Sequence, residues 1–148
     1  GLVGSEMCIR DRFFVGRSSR TNDLGIASLQ SLLDFFGHEL RVIDIPDHAL
    51  HLTSISSTPT DTIILVPEGY PSPADFGELP KGCEIVWIPG EEAYGCNTIG
   101  LPNGKVMVAE GYPSVKQALH DRGLETIDID MSEIRAADGS LTCCSIFY

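Results

Sequence analysis

The chain has 148 residues, enough for one domain with a substantial core, and its 43% hydrophobic and 21% charged residues are those of a globular protein. Ten Lys+Arg against 21 Asp+Glu leave a formal net charge of −11, and so acidic a surface argues against nucleic-acid and membrane-surface roles. No apolar run approaches the roughly 18 residues of a membrane span. Five cysteines, at positions 8, 83, 96, 143 and 144, form no CxxC pair and no Cys/His set with zinc spacing. A structural metal or a disulfide framework is therefore not expected, and reduced thiols in a cytoplasmic protein fit best.

Gly1–Arg12, GLVGSEMCIRDR, has no apolar stretch or small-residue cleavage site of a signal peptide. It resembles translated sequencing-adapter read-through. On that reading residues 1–12 are non-native and pack on nothing, Cys8 has no role, and residues 13–148 enter inside a strand as a piece of a longer domain.

From there the elements alternate. Phe13–Val15 reads as the end of a strand. Thr21-Asn22-Asp23 caps a helix whose Ile26, Leu29, Leu32, Leu33 and Phe36 share one face, and Gly37 ends it. Leu40–Ile45, His51–Ile55 and Thr62–Val66 read as strands, the last two separated by a Thr-Pro-Thr-Asp turn. A loop rich in Pro and Gly follows (67–80), with at most one helical turn. Cys83–Ile88 is strand-like, and Asn97–Leu101 with Val106–Ala109 flank Pro-Asn-Gly-Lys as a hairpin. Pro113–Arg122 is a helix stopped by Gly123. Thr126–Ile129 is a strand, Ser132–Ala137 one or two helical turns, and Leu141–Phe147 a final strand. The pattern is three strands to one helix, about two and a half times from Phe13 onward.

Taken singly, the residues able to do chemistry leave two readings open. Leu141-Thr142-Cys143-Cys144-Ser145 is either a buried strand with inert thiols or the seat of a nucleophile, its two cysteines on opposite faces. His51 between Leu50 and Leu52 is a satisfied histidine or an acid/base. Arg20 is a solvated charge or an anion ligand. Asp138-Gly139 is a turn.

Together these segments resemble one family. Phe14-Val15-Gly16-Arg17-Ser18-Ser19-Arg20-Thr21-Asn22 is similar to the FVGxSxRTN segment of the dimethylarginine dimethylaminohydrolases. Leu50-His51-Leu52-Thr53-Ser54 resembles their LHLKS strand, with Thr53 in place of lysine. Ser132-Glu133 and Asp138-Gly139-Ser140-Leu141-Thr142-Cys143-Cys144-Ser145 resemble their SE…DGxLTCxS terminus. Asn97 and Gly111-Tyr112-Pro113 also fit, while Arg17 stands where an apolar residue is common. The motifs occur in order from Phe13 to Tyr148.

The resemblance implies an α/β fold that is the C-terminal part of a pentein propeller, a ring of pseudo-fivefold ββαβ-type units around a central site. It implies Cys143 as nucleophile, His51 as general acid/base, Arg20 as the ligand of the substrate carboxylate and the Ala137 carbonyl as acceptor for the α-amino group. It implies a small-molecule substrate, a methylated arginine converted to citrulline and dimethylamine, with no cofactor and no metal. The family's guanidinium-gripping carboxylates belong to the first half of the domain, so a chain without that half is expected to be a fragment inactive alone. An arginine deiminase, releasing ammonia, and a non-catalytic binding protein on the same fold are the alternatives. Against the first, Asp138-Gly139-Ser140-Leu141 stands where deiminases place a GGP-rich segment. Against the second, Cys143 and His51 are both present.

Overall fold

The computed structural model describes residues 6–46 and 49–146, and they form three small sheets in chain order. In the first, β1 (Glu6–Ile9) runs antiparallel to β2 (Arg12–Arg17), and β2 is joined through helix α1 (Asp23–Phe36) to a parallel β3 (Glu39–Asp44). In the second, β4 (Ile63–Pro67) is joined through the short helix α2 (Pro73–Phe76) to a parallel β5 (Glu84–Ile88). A single antiparallel bridge, Ser57 to Leu65, stands in that sheet where another strand would be. In the third, β6 (Ile99–Gly100) runs antiparallel to β7 (Lys105–Ala109), which leads through α3 (Pro113–His120) to a parallel β8 (Glu125–Ile129). Helix α4 (Ser132–Ala136) follows, and 3-10 turns occupy Leu52–Ser54, Gly90–Cys96 and Thr142–Cys144.

The ββαβ grouping is thus complete in the first and third sheets, while the second is βαβ with a single bridge in place of its first strand. The first is complete because of residues 6–12, which were expected to pack on nothing. Glu6–Ile9 pairs with β2 along its whole length, and its alternation buries Met7 and Ile9 while leaving Cys8 exposed. Met7 and Ile9 join Phe14, Ile43 and Phe76 in one core cluster. An apolar residue at every second position is what an edge strand over a core requires, whatever the segment's origin.

Strand β4 is buried at all five positions because it serves two cores. Ile64 and Val66 point into the cluster shared with the first sheet, and Ile63 and Leu65 into the one shared with Val106, Val108, Val115 and Leu119 of the third. An apolar run with both faces covered is the signature of an interior parallel strand.

Helix α1 begins where Asn22 accepts a hydrogen bond from the Gly25 N–H at 2.9 Å, and ends at Gly37, whose φ of 73° is left-handed. Ile26, Leu29 and Leu33 are buried against the sheet, but Leu32 and Phe36 are exposed. The stripe that a three-stranded sheet can cover is narrower than the apolar face of the sequence.

Two expected strands are turns instead. At His51–Ile55 the backbone closes a 3-10 turn, with the Ser54 and Ile55 amides donating to His51 and Leu52. At Leu141–Phe147 the amides of Cys143 and Cys144 donate to Ser140 and Leu141, and no sheet partner is present among the described residues. Phe147 lies outside those residues. In both places the apolar residues anchor a turn and do not alternate across a sheet: Leu52 and Leu141 are buried, and Cys143 and Cys144 are both exposed. Among the described residues no helix is long and apolar enough to cross a membrane.

Candidate active site

A cavity of about 780 Å³ opens where three segments meet beside Tyr70 of the loop between β4 and α2, its wall including Leu50, His51, Glu91, Tyr94, Asp138 and Cys143. Each segment follows the last strand of one sheet: residues 49–55 come after β3, 90–94 after β5 and 135–143 after β8. Loops at the carboxyl ends of parallel strands are free of sheet hydrogen bonding and can carry polar groups into a shared crevice.

His51 sits in extended backbone (φ −139°, ψ 149°) at the mouth of its 3-10 turn. Its neighbour Leu52 is fully buried in the core, which fixes the turn from below. Strand β2 approaches closely because residue 16 is glycine: a Cβ there would lie 3.0 Å from Leu52 Cβ and 3.1 Å from Leu52 N. The Ser18 hydroxyl donates to the Leu50 carbonyl at 2.9 Å and ties the loop after β2 to the same segment.

On the other wall, Asp138 takes a left-handed φ of 58°, which a short polar side chain tolerates. Gly139 follows with no room for a side chain, a Cβ there meeting Ile134 Cγ2 at 2.7 Å. Tyr94 donates its hydroxyl to the Gly139 carbonyl at 2.8 Å. Arg135 lies 5.0 Å from the Tyr94 ring centroid and donates to the Tyr112 hydroxyl at 2.6 Å. Burial, before any neighbouring charge, raises the pKa of both tyrosines. The buried Ser140 hydroxyl is 3.3 Å from Cys143 Sγ, and the Cys143 amide donates to the Ser140 carbonyl. Between the two walls stands Asn97, almost fully buried, whose side-chain amide donates to the Thr53 carbonyl and to Thr142 Oγ1 and accepts from the Thr142 amide.

Of the residues singled out by sequence, His51 and Cys143 line this cavity together, and Arg20 and Ala137 are not in its wall. Arg20 is exposed beyond β2, its amide donating to Ser18 Oγ at 3.1 Å. Ala137 is exposed at the end of α4, directly before Asp138. Glu91, Tyr94 and Arg135 were not anticipated: residues 90–96 carry no hydrophobic period to place their side chains, and the five-residue α4 is too short for one to show where Arg135 faces. Cys96 is a different kind of thiol: burial, then the Glu92 carboxylate, push its pKa up to about 12. Among the described residues no group of three or more His, Cys, Asp or Glu converges as a metal site.

No protein-family model matches the chain. It is 29% identical over 146 residues to an N(G),N(G)-dimethylarginine dimethylaminohydrolase of Pseudomonas aeruginosa, a match covering 99% of this chain and 55% of that protein. A solved structure of the Pseudomonas aeruginosa enzyme, a cysteine-to-serine mutant complexed with citrulline, superposes with a TM-score of 0.76 at 28% identity, covering 95% of this chain and 52% of the other. An amidinotransferase from Microseira wollei superposes with a TM-score of 0.81 over 95% of this chain and 42% of its own; at 22% identity it shares the fold alone. The chain thus resembles the dimethylarginine dimethylaminohydrolases over nearly its whole length, and it has part of the pentein α/β propeller fold. It spans about half the length of the first two of these matches.

Proposed function

We propose that Cys143 and His51 hydrolyse the carbon–nitrogen bond to the dimethylated nitrogen of an N,N-dimethylarginine, giving citrulline and dimethylamine. The observation that carries this reading is that the two side chains, far apart in sequence, line one cavity of about 780 Å³. The resemblance to dimethylarginine dimethylaminohydrolases supports the substrate class.

A guanidinium carbon is a weak electrophile because its charge is spread over three nitrogens, so the reaction needs a strong nucleophile and a proton donor for the leaving amine. Cys143 Sγ, as thiolate, attacks that carbon and gives a tetrahedral adduct. His51 protonates the dimethylamine nitrogen, the C–N bond breaks, and an S-alkylthiouronium remains on Cys143. Water then adds to the same carbon while His51 takes its proton, and collapse expels the thiolate and leaves the citrulline ureido group. The Ala137 carbonyl, next to the cavity wall at Asp138, is assigned to the substrate α-ammonium. Arg20 is assigned to its carboxylate, on a loop that Ser18 ties to Leu50; a planar guanidinium suits that forked contact.

The test is covalent and needs no turnover. A haloacetamidine, a small cationic amidine, should alkylate Cys143 ahead of Cys83 and Cys144 and leave Cys96 untouched, as read by peptide mass spectrometry. Equal rates at Cys143 and Cys144, which share one exposed turn, would overturn the assignment. In an enzyme that turns over, amine analysis separates dimethylamine from the ammonia a deiminase releases.

A further inference from the structure

We infer that Asn97 is a positioning residue that holds the acid/base and the nucleophile in register by bolting their two turns to one side-chain amide; this rests on the Cys143–His51 reading above. Asn97 is 1% exposed, at the junction between the Gly90–Cys96 turn and the third sheet. Its Nδ2 donates to the Thr53 carbonyl, two residues beyond His51, and to Thr142 Oγ1 at 2.9 Å, one residue before Cys143. Its Oδ1 accepts from the Thr142 amide at 3.1 Å. Both amide hydrogens and one oxygen lone pair are thereby used, in a site closed to water.

The residue type follows from that pattern. One planar group must offer two donors in different directions and one acceptor to a backbone N–H, on a stem short enough not to swing. Aspartate lacks the donors and would bury a charge against the Thr53 carbonyl. A hydroxyl has a single hydrogen, and glutamine adds a methylene to a fully packed site. The consequence for chemistry is geometric. Neither turn is a sheet strand, so no ladder sets the distance from His51 to Cys143, and a misplacement of about 1 Å can cost on the order of 10²-fold in rate.

The experiment is a double-mutant cycle on the haloacetamidine labelling rate of Cys143 in the 148-residue chain, with Cys144 as internal reference. In the parent, His51→Ala should slow Cys143 labelling on the order of tenfold. In an Asn97→Ala background the same change should have an effect within about twofold, because the histidine is no longer held against the thiol. Thr142→Val, which removes one hydroxyl and keeps its backbone, should give the same loss of coupling in part; it carries the test if circular dichroism shows Asn97→Ala unfolded. A residue acting only on overall stability would lower the melting temperature and leave the His51 effect whole. An undiminished His51 effect in the folded Asn97→Ala chain, or in Thr142→Val where that chain is unfolded, overturns this inference and leaves the Cys143–His51 reading standing. No His51 effect in the parent overturns both.

Discussion

Replacing Gly16 by alanine should destabilise the fold through the turn that carries His51. Gly16 pairs with Ile43 in the parallel ladder of β2 and β3. A Cβ on it would meet Leu52 Cβ at 3.0 Å, Leu52 N at 3.1 Å and Ile45 Cδ1 at 3.2 Å, where ordinary contact begins at 3.4 Å. Ile45 Cδ1 is the end of a flexible side chain and can move aside. Leu52 cannot: it is fully buried, and its carbonyl accepts from the Ile55 amide at 3.1 Å and from Ser56 Oγ at 2.8 Å. Overpacking of this kind costs about 1–3 kcal/mol, which for a chain of this size is a melting-point fall of about 3–10 °C. Gly25→Ala in α1 is the control of opposite sign, since a Cβ there meets only Asn22 Oδ1, at an ordinary 3.5 Å. It should raise stability by about 0.5–1 kcal/mol through helix propensity. Thermal melts followed by circular dichroism measure both, and Cys143 labelling should fall in Gly16→Ala alone. A Gly16→Ala chain melting with or above the parent, while Gly25→Ala shows its gain, would refute the claim that Gly16 sets the position of the Leu52 turn.

The buried Cys96 predicts an alkaline limit. Its folded pKa, about 12, lies above the ordinary thiol value, so its contribution is complete below pH ~8.5 and is lost as pH rises from there toward 12, at up to ~1.4 kcal/mol per pH unit. Denaturant melts of Cys96→Ala should show a shallower decline than the parent over that range, and parallel declines would sink the idea. At the acid end, hydrogen bonding to Arg122 holds Glu84 below the usual carboxylate value, through contacts of 2.8 and 2.9 Å. That contribution is present above pH ~4.3 and lost as pH falls through the folded value. Because the pair is partly exposed, Arg122→Met should cost no more than about 1 kcal/mol at pH 7. A larger loss would mean the pair is acting through packing.

Where the apolar pattern had one meaning, the sequence was enough to place the element. Asn22 and Gly37 bracket α1, the Pro-Asn-Gly-Lys turn closes β6 on β7, and the apolar run within Thr62–Val66 reads as the strand it is. Short apolar pairs with polar company were ambiguous. Leu50-His51-Leu52 and Leu141-Thr142-Cys143 each alternate like a strand, yet an alternation of three residues cannot tell a strand from a turn pinned by one leucine. The decision rests on partners distant in sequence, here the core under Leu52 and the side chain of Asn97. Residues 6–12 went the other way. Their resemblance to adapter read-through suggested a segment without structure, but Met7 and Ile9 alternate about Cys8, and that periodicity is enough once an open sheet edge lies beside it.

The same distinction governs the candidate site. Local motifs pointed to His51 and Cys143 because each sits in a short run of recognisable neighbours. Nothing local could say that Glu91, Tyr94 and Arg135 stand around them, because what assembles the cavity is the repetition of one topology. Each unit ends on a parallel strand, and the chain leaving that strand at its carboxyl end has no ladder to follow. Three units in succession therefore deliver three segments, 49–55, 90–94 and, beginning at the end of α4, 135–143, to one cavity. Beyond the hydrogen bonds within their own turns, such segments are tied to the rest of the fold by side-chain contacts, among them Leu52 in the core, Tyr94 on the Gly139 carbonyl, and Asn97 between Thr53 and Thr142. Substitutions at those three residues should accordingly change reactivity at Cys143 more than equally destabilising changes in the helices. Leu29→Ala in α1 is the comparison, expected to lower the melting temperature as much as Leu52→Ala while leaving the Cys143-to-Cys144 labelling ratio of the folded chain as it was. Equal falls in that ratio for both variants would show that the reactivity of Cys143 follows overall stability and owes nothing to how its turn is held.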